Sequence, residues 1–582
     1  MTRLANNPAE FAHEALEGFV AAHRRWVRQV PGGVVRTTPK VPGHVAVVVG
    51  GGSGHYPAFA GLVGPGLAHG AVVGNVFASP SAQQVCSVAR AVSAGGGVLL
   101  LYGNYAGDVL HFGLAQERLN ADGIVCRSLA VTDDVASASV DEAAKRRGVA
   151  GDLAVFKIAA AAADAGHDLD EVVRIATKAN ERTRSLGIAF AGCTLPGAVD
   201  PLFTVPERRM SVGLGIHGEP GISEAPIPTA DELAELFVTT LLAELPAGVQ
   251  TPEGHRVGVI LNGLGSVKYE ELFVVYRRVA QLLESAGLQI VDPEVGELVT
   301  SFDMAGASLT LFWLDDELEP LWTAPADTPA FRKGSVTAAE PATTASLSAD
   351  EETLTDPQAT PAIPWASDPS RSAARSVVAA LEAVREVIDT NADELGRIDA
   401  VAGDGDHGIG MQRGSVAAAA RAQETFALGG GAGTVLQWAA DAWADAAGGT
   451  SGALWGVALR SLGAALGDHE TPNGKSVAEG VRLATESVMT LGKAVPGDKT
   501  MVDVLVPFSE ALSTAVENGD GLIEASSHAA QVAATAAEQT AALTPRLGRA
   551  RPLAARSVGT PDAGAVSLAL IVRSVHDAIA AH

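Results

Sequence analysis

Up to about residue 325 the chain alternates between two hydrophobic patterns. Short β-branched or apolar runs, His44–Val49, Val98–Tyr102 and Val257–Leu261, read as buried strands. Between them lie stretches with helical spacing, such as Ser81–Ala94 and Thr229–Leu245. The second opens on Thr229 with Glu232 three residues on, a capping box. Strand–turn–helix alternation predicts α/β architecture, with sheets covered by helices. Over 326–370 the texture changes to Pro, Thr, Ala and Ser without apolar periodicity. Such a segment buries too little to offset its ordering entropy, so it reads as a linker. Beyond it the pattern is helical only. Val377, Leu381, Val384 and Ile388 share one helix face, and Ala-rich stretches run on to Ala581. This predicts an all-α C-terminal domain, a bundle or helical barrel. The expected division is 1–325, a linker over 326–370, and 371–582.

Composition narrows the function. The 582 residues are 47% hydrophobic, ample for large cores, and the net charge is −26. That balance argues against nucleic acid, which needs a basic face, and against anionic membrane surfaces. An acidic protein that takes a polyphosphate needs cations between itself and the ligand. Three separated cysteines, Cys86, Cys126 and Cys193, exclude a disulfide scaffold and a zinc ribbon. Met1–Arg28 has no apolar core of a signal peptide, and no run approaches the roughly 20 apolar residues of a membrane span. The expectation is a cytoplasmic protein.

Two phosphate motifs fail on context. Gly213-Leu-Gly215-Ile-His-Gly218 fits GxGxxG, but no helical pattern opens there until about Thr229. Gly474-Lys475-Ser476 resembles a P-loop end, but the first glycine of that motif would fall at His469 and no strand precedes it.

The stronger signal is Asp399-Ala-Val-Ala-Gly403-Asp404-Gly405-Asp406-His407-Gly408. Read as an extended stretch, it turns Asp404 and Asp406 to one side, and Asp399 folds back toward them. Three carboxylates so close repel, and a hard divalent cation such as Mg²⁺ removes that cost. The plain alternative is a solvated acidic turn. Gly448-Gly449-Thr450-Ser451-Gly452, between helical segments, suits phosphate oxygens or is a simple helix–helix turn.

In the N-terminal half, Val45–Val49 runs into Gly50-Gly51-Gly52-Ser53-Gly54-His55, at a strand end where α/β folds place ligands. Val98–Tyr102 leads to Asp108 through a second glycine loop, and His217 lies in a third. A lone histidine is more often structural, but three catalytic-type side chains in glycine loops favour an enzyme site. A neutral imidazole can add to a ketone as a hemiaminal, a bond that selects carbonyl compounds over polyols. A carboxylate such as Asp108 can take the proton of a hydroxyl that attacks a phosphoryl group, with His55 positioning or polarising that hydroxyl.

The stretches GGGSGHYPAFAG, NVFASPS, GNYAGD, GLGIHGEPG, DAVAGDGDHGIGMQRG, GGTSGALWG and GDKTMVD, in this order, resemble the dihydroxyacetone kinase family. The resemblance covers nearly the whole chain outside the linker. It implies a single-chain, ATP-dependent kinase of small ketoses, with an α/β ketose domain, a helical-barrel nucleotide domain, two Mg²⁺ ions and a homodimeric state. It implies that His217 forms the hemiaminal, and that Asp108 and His55 handle the substrate hydroxyl. Gly52, Ser53 and Gly54 then form the substrate loop, and Asp399, Asp404 and Asp406 are the magnesium ligands. His407, Gly408, Ile409, Gly410, Thr450, Ser451, Gly492, Met501, Arg549 and Asp562 align with nucleotide contacts.

The departures fall mainly near the ketose. Tyr56 and Phe59 stand where the family carries Glu and His, and Gly103 stands for a Lys, which would open space. Near the C-terminus the nucleotide loop is altered to Gly548–Ser557, and Asp562-Ala563-Gly564-Ala565 replaces DPGA. The pattern is similar to the erythrulose-phosphorylating branch of the family. Two rival readings are a lyase that splits flavin dinucleotide to a cyclic phosphate and a non-enzymatic ketose sensor. The sensor should lack the metal aspartates or the histidine.

Overall fold

The computed structural model describes residues 4–219, 221–335, 363–401, 403, 405–547 and 554–581. The chain divides into two compact units, Met1–Pro357 and Gln358–His582.

The first unit holds two sheets. One contains β1 (Val27–Val30), β2 (Gly33–Arg36), β3 (Ala46–Ser53), β4 (Gly70–Val76), β5 (Val98–Gly103) and β6 (Cys126–Val131), in the order β1-β2-β4-β3-β5-β6. Strands β4, β3, β5 and β6 are parallel, so their C-terminal ends share one edge. Helices Ala82–Val92 and Ala106–Ala121 make the crossovers that parallel strands require. The first is capped by Ser81 and Gln84 in a capping box. Strand β3 is buried from Ala46 to Gly52, which is why it reads as an unbroken apolar run.

The second sheet is mixed: β7 (Thr183–Ala191), β8 (Arg209–Val212), β9 (Ser223–Pro226), β10 (Arg256–Gly263), β11 (Gln289–Ile290), β12 (Glu294–Gly296) and β13 (Ala305–Leu314), in the order β11-β10-β13-β7-β8-β9, with β12 also on β10. The helix Ala230–Leu242 carries the expected cap of Thr229 and Glu232. The Ala-rich helix Gly151–Asp164 is buried from Gly151 to Ala163 and packs on β3, β5 and β6 of one sheet and β7 and β13 of the other. Its small side chains let both sheets approach one helix.

The assigned linker begins too early. Residues 326–327 and 332–333 pair as a two-stranded hairpin, and Ala326, Thr328 and Phe331 are buried. Thr328 Oγ1 donates to Gly61 O at 2.8 Å. Two buried hydrophobic side chains tie this low-complexity stretch to the first unit. At the other end the first helix of the second unit starts at Asp368, capped by Ser367.

In the second unit the described residues form no strand. Helices Asp368–Asp399, His407–Ala427, Ala432–Ala447, Gly449–Leu466, Gly474–Gly492, Val502–Glu517, Leu522–Gln539 and Ala563–Ala580 pack each on the next, and the last packs on the first. The ring closes as a helical barrel. By length and composition Ala563–Ala580 is apolar enough to cross a membrane, contrary to the sequence expectation. Here it closes the ring, buries Ala565, Leu568 and Ile571, and carries an Arg573–Asp577 ion pair at 3.3 Å.

Candidate active site

The shared edge of β3, β4 and β5 carries the first constellation. Gly52 must be glycine, because a β-carbon there would lie 2.8 Å from Ala78 N. That close approach brings in the loop bearing Phe77, and Ser53 Oγ pins it further by donating to Gly74 O at 2.5 Å. Gly54, at φ 106°, then turns the chain so that His55 points inward, 1% exposed.

A loop from the second sheet meets this turn. Phe302 N donates to Gly54 O at 2.9 Å, and Thr300 Oγ1 donates to Tyr56 O at 2.8 Å. The loop is held by buried Asn262, whose Oδ1 accepts from Leu298 N and Val299 N at 2.9 Å each.

The sequence-assigned histidines come together. His55 Nε2 lies 3.0 Å from His217 Nε2. His55 Nδ1 donates to Thr300 O at 2.8 Å, so that nitrogen carries a proton. Burial, then the neighbouring His217, hold the His55 pKa down to about 3, so the ring is neutral and its Nε2 is an acceptor. The proton in the Nε2–Nε2 bond therefore sits on His217. The other His217 nitrogen, Nδ1, lies 3.1 Å from Glu219 Oε1, while His217 N donates to Glu219 Oε2 at 3.0 Å. A bare nitrogen facing a carboxylate would repel, so His217 and Glu219 share a second proton.

Glu219 lies 3.9 Å from Arg147. Arg147 in turn donates to both Asp134 Oδ2, at 2.7 and 3.0 Å, and Gly213 O. The network runs Asp134–Arg147–Glu219–His217–His55–Thr300. Sequence reasoning found its two histidines and missed the rest. The signal for Glu219 was its place two residues after His217; nothing local marks Arg147 or Thr300.

Aromatic walls close the site. Phe77 stacks on His55 at 4.9 Å, Tyr105 meets His217 edge-on at 4.5 Å, and Phe302 packs on Phe77 at 5.3 Å. Phe77 and Phe302 both hold φ near +50°, a conformation the surrounding packing imposes on a bulky residue. Phe59 lies against Gly51, where a β-carbon would fall 2.5 Å from Phe59 Cε2. Asp108, 6% exposed, sits in the first turn of Ala106–Ala121, at the end of β5. Gly103 does not leave open space as expected. A β-carbon there would lie 3.0 Å from Tyr105 Cε2 and 3.3 Å from Asp152 Oδ2, so these two groups fill the position.

The rejected motifs sit as their context predicts. Gly213–Gly218 follows β8 in a loop, and Gly474 opens a helix capped by Asn473 with no strand before it.

In the second unit Asp399 ends one helix and Asp406 immediately precedes the next, His407–Ala427, without a side-chain capping bond. At the end of the segment between them Gly405 has φ 77° and Asp406 is helical, so these two residues are not extended. Asp399 Oδ2 instead accepts from Gly405 N at 2.9 Å, which folds the turn back. The surrounding protein, then the Asp399 charge, push the Asp406 carboxyl up to about 6, though its side chain keeps solvent access. Burial does the same to Asp562, up to about 7, with Asp399 and Asp503 adding to it. Oxygen donors that raise one another in this way fit a hard cation. Among the described residues no three carboxylates, imidazoles or thiols group closely enough to hold a metal. Asp404 and Arg549 lie outside the described residues.

His407 Nε2 lies 3.0 Å from Ser567 Oγ. A β-carbon at Gly564 would meet Asp562 at 3.2 Å and Met501 at 3.5 Å, so these three cluster. Gly408 and Gly410 lie in the first turn of His407–Ala427, with exposed Ile409 between them. Gly410 faces Ala447, beside the Gly448 turn that starts the helix bearing Thr450 and Ser451. Gly492 ends its helix against Leu454, three residues on from Ser451 in the helix Gly449–Leu466.

Residues 17–330 match the Dak1 domain and residues 401–577 the DAK2 domain. The chain belongs to the dihydroxyacetone kinase family. Among relatives in this family it is 65% identical over 575 residues to the L-erythrulose kinase of Pectobacterium atrosepticum, across 99% of this chain and 96% of that one. It is 55% identical over 580 residues to the D-erythrulose kinase of Mycolicibacterium smegmatis, across 100% and 99%. In fold this family member is similar to the crystal structure of the dihydroxyacetone kinase from C. freundii in complex with AMP-PNP and Mg²⁺, at 28% identity and a TM-score of 0.52 over 99% of each chain.

Proposed function

We propose that this protein is an ATP-dependent kinase of a small ketose, erythrulose foremost, which it holds as a hemiaminal on His217. The observation that carries the reading is the His55–His217 contact at 3.0 Å, with Glu219 behind the second nucleophile-ring nitrogen. The erythrulose kinase names of the relatives at 65% and 55% identity support the substrate class.

The addition balances without an outside acid. His217 Nε2 gives its proton to His55 Nε2 and attacks the carbonyl carbon. The carbon–oxygen π bond breaks, and the oxygen takes the proton back from His55. The substituted imidazole keeps one positive charge, and the Glu219 carboxylate faces it before and after. Asp108 then takes the proton of the hydroxyl that attacks the terminal phosphoryl group. In the second unit His407, Gly408, Gly410, Thr450 and Ser451 would hold the nucleotide. Asp399, Asp404 and Asp406 would hold Mg²⁺, which when bound neutralises the transferring phosphoryl group.

ADP release from ATP and Mg²⁺ tests this with dihydroxyacetone, glyceraldehyde and both erythrulose enantiomers. An erythrulose should give the highest kcat/KM, and His217→Ala should lose it. No ADP with any ketose, or full ketose turnover by His217→Ala, would refute the reading.

A further inference from the structure

His55 follows β3 of the first sheet, and His217 follows β8 of the second. Their ring nitrogens lie 3.0 Å apart, and a separation of about 3.6 Å would end that hydrogen bond. Two sheets keep such a spacing only if something grips both. The loop from β12 to β13 reaches both sides, and one of its residues, Ser301, has no task in the reaction above.

The base of this loop is rigid. Asn262, on β10, is fully buried. Besides accepting from Leu298 N and Val299 N, it donates through Nδ2 to Val299 O at 2.8 Å and to Ser308 Oγ at 3.2 Å. Every hydrogen-bonding position of the amide is used. From that base Thr300 meets the first histidine in both directions. Its N donates to His55 O at 3.2 Å, and its O accepts from His55 Nδ1 at 2.8 Å.

Ser301, next in the chain, turns the other way. It is fully buried, and its N donates to Leu264 O at 2.9 Å. Its Oγ lies 2.5 Å from Ile216 O. A carbonyl oxygen has no proton to give, so the hydroxyl is the donor. Cys193 Sγ, 3.7 Å from the same Oγ, packs beside it. Ile216 is itself buried and immediately precedes His217. The turn that carries His217 has its own bonds, Gly215 N to Glu219 O at 3.1 Å and Gly218 N to Gly215 O at 3.2 Å. Those shape the tip without setting its distance from His55. Consecutive residues of one loop thus grip the two histidines, Thr300 on one side and Ser301 on the other.

We propose that Ser301 is a positioning residue for His217: its hydroxyl, through Ile216 O, fixes the Nε2–Nε2 distance across which His217 and His55 exchange a proton. This rests on His217 as the ketose nucleophile of the reading above. Ser301 stays a donor throughout and takes no part in the bond changes.

The ring ¹⁵N shifts of His55 and His217 in the ligand-free, full-length protein test this without any ketose. They are assigned with His55→Asn and His217→Asn. Ser301→Ala removes the donor and should move the Nε2 signals of both rings. It should also lower kcat/KM for erythrulose ~10-fold and leave the KM for ATP unchanged. Ser301→Cys, of similar size and with a weaker donor, should fall between Ala and wild type in both readouts, and it carries the test if the Ala variant does not fold. Nε2 signals that stay in place overturn the proposal, whether urea stability or turnover falls or not, because Ser301 would then serve the fold alone. Signals that move while erythrulose turnover stays at the wild-type level would refute the His217 reading instead, since the contact would be disturbed without consequence.

Discussion

The Nε2 atoms of His55 and His217 face each other across 3.0 Å. With His55 Nδ1 committed to Thr300 O, that contact places a proton on His217, and Glu219 balances it from the far side. Ketose capture then becomes a proton exchange inside one network.

The network predicts an outsized effect for Glu219→Gln. A charge-assisted hydrogen bond contributes ~1.5–3 kcal/mol. Loss of the carboxylate should lower kcat/KM for the ketose ~10- to 100-fold and leave the KM for ATP unchanged. Steady-state kinetics with each substrate varied in turn checks this.

Gly52→Ala should cost both fold and function. Its β-carbon would meet the Ala78 backbone at 2.8 Å, and backbone cannot yield as a flexible side chain can. We expect ~1–3 kcal/mol of destabilisation and loss of ketose binding as the Phe77 loop is displaced. Urea unfolding and ketose titration read the two effects separately.

The carboxylates of the second unit should matter to turnover and not to ketose capture. Asp406→Asn, or removal of Mg²⁺ by a chelator, should abolish ADP formation and leave the His217 adduct detectable by mass spectrometry. Ser567→Ala removes the partner of His407 Nε2 and should raise the KM for ATP ~2- to 10-fold. Loss of the adduct in any of these would contradict the division of labour between the two halves.

His69 gives a stability prediction at acid pH. Its Nδ1 accepts from Val47 N at 3.1 Å, and Nε2 lies 3.3 Å from Asp164. Burial, then Arg36, lower its pKa to about 4, although Asp164 pulls the other way. The unfolded chain binds this proton near pH 6.5, before the folded one does. The contribution is therefore complete above ~6.5 and drains away as pH falls to about 4, by ~3 kcal/mol at most. The stability difference between wild type and His69→Gln, followed by urea unfolding across that range, should shrink accordingly.

Much of this was legible in the chain because local chemistry carried it. The Thr229 cap, the glycine run after β3 and the helical second half all announce themselves by period or spacing. Arg147 and Thr300 did not, because tertiary packing brings them to the histidines from separate segments, whereas Glu219 carried a local signal in its place two residues after His217. The Gly103 position misled for the same reason: a missing side chain reads as space, yet Tyr105 and Asp152 occupy it. The acidic turn was legible by composition; that the left-handed Gly405 lets the next helix begin at once was not, since the pattern alone does not show a glycine's φ.

The most direct measurement is ¹³C NMR of the protein with erythrulose labelled at the carbonyl carbon. The account predicts that the ketone resonance gives way, on binding, to a tetrahedral carbon bonded to nitrogen, and that His217→Asn abolishes the new signal. A bound ligand whose labelled carbon still resonates as a ketone, or a tetrahedral signal that survives in His217→Asn, would contradict it.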